Sequence, residues 1–88
     1  MILMDPEFRQ IKTVDNVKEV FEYYVEYGYR PSRVKVYSPM WKDDNGMFPI
    51  FMDYGVNEDP VFVGYLNELP NPCFYEAPLD FFKINLEY

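Results

Sequence analysis

The chain has 88 residues and a net charge of −7, and 49% of it is apolar. With 20% aromatic residues it holds enough apolar surface to offset the entropy of ordering, which excludes intrinsic disorder. One cysteine excludes an internal disulfide framework, and the absence of histidine removes the usual neutral-pH base and the commonest zinc ligand.

The charge is unevenly placed. Residues 1–42 carry seven basic and six acidic side chains, a net of +1; residues 43–88 carry nine acidic and one basic, a net of −8. An acidic half argues against direct contact with nucleic acid or an anionic membrane and favours a basic protein partner. The alternative is that the acidity only keeps the protein soluble. No apolar run reaches the ~18 residues of a membrane span, so a cytoplasmic, reducing location is expected.

In chain order, residues 1–8 read as a flexible lead-in. Asp5-Pro6-Glu7-Phe8 also matches what two common cloning sites in series encode, so a vector origin is a second reading of that stretch. Phe8–Thr13 has no firm period and reads as a short strand or an extended approach. Asp15–Tyr27 is expected to be a helix. Val17, Val20, Phe21 and Tyr24 recur at the spacing of one helical face, Thr13 or Asp15 caps the start, and Gly28 and Pro31 end it.

Arg33–Ser38 alternates as a half-buried strand. Asp43-Asp44-Asn45-Gly46 is a turn signal. In the strand that follows, Phe48, Ile50, Met52 and Tyr54 share one face, with Phe51 and Asp53 on the other. Pro49 places it at a sheet edge or at its own first residues. Val56–Pro60 turns the chain into a strand at Val61–Leu66. Pro70, Pro72 and Pro78 then force an irregular crossing, with a short extended piece at Cys73–Glu76. Phe81–Glu87 alternates as a last strand.

These elements describe one α+β domain, an N-terminal helix packed on an antiparallel sheet of about four strands. One helix covers one face, so the other is expected to carry Tyr37, Phe51, Phe62 and Leu66 beside Lys35 and Asp53. Either a partner or the loops Pro39–Lys42 and Asn67–Pro78 would cover it.

No constellation signals catalysis, a metal or a cofactor. Cys73 lacks a histidine or a second cysteine and reads as a small buried side chain. The acidic pairs Asp43/Asp44 and Glu58/Asp59 sit in turns, where solvent keeps carboxylates ordinary. In the frame of a calcium loop starting at the first turn, Trp41 and Met52 stand where oxygen ligands are required. The four glycines are scattered rather than gathered into a phosphate loop. Arg30, Arg33 and Lys35 beside Tyr29 and Tyr37 could line a nucleic-acid strand, but a solvated strand edge fits three charges better.

The expected function is therefore binding without catalysis. An acidic surface with aromatic anchors, formed by Trp41, Asp43, Asp44, Asp53, Tyr54, Glu58 and Asp59, would occlude a basic, nucleic-acid-binding protein surface. That is the plan of phage- or mobile-element-type inhibitors and immunity proteins, a likeness of composition alone. The alternative is a structural module that self-associates as a homodimer through its aromatic sheet face. A small carboxylate- and tyrosine-based enzyme stands third, and it would need a deep pocket.

Overall fold

The structure, a computed structural model, describes residues 1–38, 46–78 and 80. Its elements run β1 (Ile2–Met4), β2 (Gln10–Thr13), α1 (Val17–Glu26), β3 (Arg33–Val36), β4 (Phe48–Asp53), β5 (Val61–Leu66) and β6 (Phe74–Glu76). The strands form one six-stranded sheet in the order β2-β1-β5-β4-β3-β6, antiparallel throughout. Among the described residues the fold is thus α+β, with α1 the helix that packs on the sheet. It has six strands rather than four, and the helix follows two of them instead of opening the chain. β1 and β2 lie in stretches with no run of alternating apolar and polar residues long enough to show a period of two.

The helix cap is neither Thr13 nor Asp15 but Asn16, one residue after the later of the two. Asn16 accepts the Glu19 backbone N–H at 3.0 Å, and the Glu19 carboxylate in turn accepts from the Asp15 N–H, a variant of the capping box shifted by one residue. At the other end Gly28 takes φ +94°. Gly28 N–H donates to Val25 C=O and Tyr29 N–H to Tyr24 C=O, the paired bonds of a Schellman motif. Between these ends Val17, Val20, Phe21, Tyr24 and Val25 form a buried stripe.

That stripe lies on one face of the sheet, against Leu3, Val34, Val36, Ile50, Met52, Val63 and Leu66. The alternation expected for β4 is present: Ile50 and Met52 are buried, while Phe51 and Asp53 are only partly so. Pro49 is the second residue of β4, an interior strand, and its carbonyl accepts the Tyr37 N–H at 3.0 Å.

The expected alternation fails in β5. Ile50 pairs with Gly64, but the next residue, Phe51, pairs with Phe62, so Val63 is an extra residue in the ladder, a β-bulge. Beyond the bulge every side chain changes face. Leu66, expected on the open face, is fully buried against the helix, and Tyr65 takes the open side. The bulge has a partner in the core: the Tyr24 hydroxyl donates to the Val63 carbonyl at 3.3 Å. Gly64 makes room beside it, since a Cβ there would stand 2.3 Å from the Met4 carbonyl oxygen and 3.1 Å from the Tyr24 hydroxyl.

After Leu66 the chain passes along the end of the sheet to β6, where the Cys73 carbonyl accepts the Val36 N–H at 2.8 Å. Cys73 is exposed rather than buried. The strand expected at Phe81–Glu87 lies outside the described residues.

Candidate interaction surface

Directly paired residues in antiparallel strands project on the same side. The pairs Lys35–Phe51, Phe51–Phe62 and Pro49–Tyr65 therefore lie together on the face opposite the helix. On that face the rings form a continuous series. Tyr37 meets Phe51 edge-on at 5.3 Å, Phe51 meets Phe62 at 5.7 Å, and Phe62 meets Tyr65 edge-on at 5.1 Å. Phe8 stacks on Tyr65 at 4.6 Å with 17° between planes. Each such contact adds about 0.5–1.5 kcal/mol beyond the area it buries, enough to hold the rings in one arrangement.

The last ring in the series is placed by an unusual turn. Phe8 has φ +64°, the left-handed region that bulky residues rarely occupy. The conformation is held from Asp5, whose carboxylate accepts the backbone N–H groups of Glu7 and Arg9, each at 2.9 Å, and the Arg9 guanidinium at 2.7 Å. These bonds, the Arg9 N–H foremost, hold the Asp5 carboxyl below its ordinary range.

The series is only partly covered by the described residues: Tyr37 is 41% exposed, Phe8 39% and Phe62 38%. Beside Tyr37 and Phe51 an open depression of ≈ 330 Å³ is closed on a third side by Pro60. The charges on this face are already matched in sign. Lys35 lies 3.9 Å from Asp53, and Arg33 4.0 Å from Glu76, its pairing partner on β6.

Of the residues expected to bind a basic partner, four are described: Asp53, Tyr54, Glu58 and Asp59. Trp41, Asp43 and Asp44 lie outside the described residues. Asp53 is on the aromatic face, facing Lys35 and accepting the Gly55 N–H at 3.1 Å. Tyr54, the next residue, packs against the helix-side core. Burial pushes its phenol upward, with Tyr29 adding to the shift. Glu58 and Asp59 are exposed in the turn between β4 and β5. Phe8 and Tyr65 are the members of the aromatic series that sequence reasoning missed, the first because it falls in the lead-in, the second because the bulge is silent in the sequence.

Among the described residues no group of three His, Cys, Asp or Glu side chains could hold a metal ion, and no helix is long and apolar enough to cross a membrane. No protein-family model, curated protein or solved structure matches the chain.

Proposed function

We propose that the protein is a non-enzymatic binding module whose contact surface is the open aromatic face of its sheet. The observation that carries this reading is the unbroken series Tyr37–Phe51–Phe62–Tyr65–Phe8, half-exposed and fixed by ring-to-ring contacts. Preordered aromatic rings bring large contact area at little further entropic cost, which is why they dominate protein interfaces. Matched charges beside them set orientation rather than attract a strongly charged partner.

A second reading keeps the acidic surface as the contact. It is favoured by Glu58 and Asp59, two exposed carboxylates that take part in no ion pair among the described residues. In that reading the turn receives a basic protein surface and occludes it from nucleic acid, as an inhibitor or immunity protein would.

Capture experiments with variants separate the two. Tagged protein, Phe62→Asp, and the double variant Glu58→Lys/Asp59→Lys are each presented to lysate and to untagged protein at low and high salt. The aromatic reading expects a capture that survives salt and is lost with Phe62→Asp. A capture lost with salt and with the double variant, but kept by Phe62→Asp, would replace it with the acidic reading.

A further inference from the structure

We infer that the occupant of the aromatic face is a second copy of this chain, docked sheet to sheet about a two-fold axis; the inference rests on the binding reading above. Charge disfavours a strongly basic or strongly acidic partner. Among the described residues the strands of this face carry Arg33 and Lys35 against Asp53 and Glu76, a balanced set on a chain of net charge −7. A nucleic acid would find no excess of cations there, and a basic protein no excess of carboxylates. Two copies repel through their net charge, least where balanced faces meet, and salt screens what remains.

The face is also self-complementary, as a two-fold interface requires. It holds both signs of charge close together, so Lys35 of one copy can lie over Asp53 of the other while the sheet-internal pairs relax. It holds both exposed rings and a recess. Phe62 is partly exposed on β5, and the open depression of ≈ 330 Å³ at Tyr37, Phe51 and Pro60 lies beside its neighbour Phe51. An exposed ring of one copy, Phe62 or Tyr37, can lie over the depression of the other.

Size sets the strength. Six strands at about 4.8 Å spacing and about 3.4 Å per residue give a face of roughly 420 Å² in plan, before the relief of the side chains is added. That is below the standard interface of about 800 Å² per partner, so a weak, transient dimer is expected, populated at high-micromolar to millimolar concentration, rather than an obligate one.

The test is sedimentation equilibrium over micromolar to millimolar concentrations, with circular dichroism to check folding. The wild type is expected to dimerise, and Phe62→Asp and the more exposed Tyr37→Asp to weaken the dimer by about tenfold or more. Glu58→Lys should leave it intact, and added salt should not dissociate it. A wild type that stays monomeric overturns the second-copy inference. Binding of an apolar dye such as anilinonaphthalene sulfonate then decides the underlying reading: dye bound by the wild type and lost in Phe62→Asp keeps the face as a binding surface, and no binding removes it. A dimer indifferent to both substitutions overturns the inference and places self-association elsewhere.

Discussion

Phe62 and Tyr65 stand three positions apart in one strand, yet their rings meet edge to face at 5.1 Å on the same side of the sheet. A regular strand would set them on opposite sides. Val63, the bulged residue between them, absorbs one position and brings both rings into line with Phe51 and Phe8. The same bulge buries Leu66, so one irregularity both completes the core and builds the aromatic face.

Gly64 is where this arrangement is least tolerant. A methyl group there would overlap the Met4 carbonyl, a backbone atom of the neighbouring strand that moves only if β1 moves. Gly64→Ala is expected to destabilise the protein by about 2–3 kcal/mol. A urea-unfolding midpoint unchanged from wild type would show that β1 does not approach β5 as described.

The Tyr24 hydroxyl should matter less than its ring. Tyr24→Phe removes one rather long hydrogen bond to Val63 and should cost about 1 kcal/mol, against about 3–5 kcal/mol for Phe21→Ala in the same core. Equilibrium unfolding of the two variants measures both.

Alkaline pH supplies an independent check on Tyr24. Burial raises its phenol well above the ordinary 10.0, so the folded state keeps a proton that the unfolded state has lost. The stabilisation is complete below pH 10.0 and declines as pH rises above it toward the folded value. Tyr23 and Tyr54 shift the same way, so Tyr24→Phe should flatten this decline without abolishing it. Equal slopes for the two proteins above pH 10.0 would rule out a buried Tyr24 phenol.

Asp5 acts in the opposite pH range. Its carboxyl is held below the ordinary 3.8, so its contribution is present above that value and fades as pH falls through the lower, folded one. A carboxyl titration followed by carbon NMR should give Asp5 a midpoint below 3.8. Asp5→Asn should loosen the turn and reduce the stacking of Phe8 on Tyr65, read as a change in ring-proton shifts. A normal midpoint and unchanged ring shifts would remove Asp5 as the holder of that turn.

Much of the fold was legible because it rests on local signals. The helix shows in the spacing of Val17, Val20, Phe21 and Tyr24, and β4 in its alternation about Phe51. Arg33–Ser38 contains β3, which ends at Val36, with the Tyr37 N–H still bonded to Pro49 of β4. Other features depend on contacts distant in sequence. Asn16 displaces Thr13 and Asp15 as the cap because Glu19 completes its hydrogen bonds. The bulge at Val63 is stabilised by Tyr24, 39 residues away, and no window around Val63 contains that information. Ile2–Met4 becomes a strand only by pairing with both β2 and β5. Tyr37, Phe51 and Phe62 could be placed on the open face from alternation alone. Phe8 and Tyr65 could not, since one depends on a positive φ and the other on the bulge.

The most direct measurement is the amide nitrogen–proton NMR spectrum of the uniformly labelled protein followed over a hundredfold range of concentration. If two copies meet across the aromatic face, concentration-dependent shifts will centre on Tyr37, Phe51, Phe62 and Tyr65 and leave Glu58 and Asp59 in place. Shifts confined to the Glu58–Asp59 turn, or a spectrum indifferent to concentration, would contradict docking through that face.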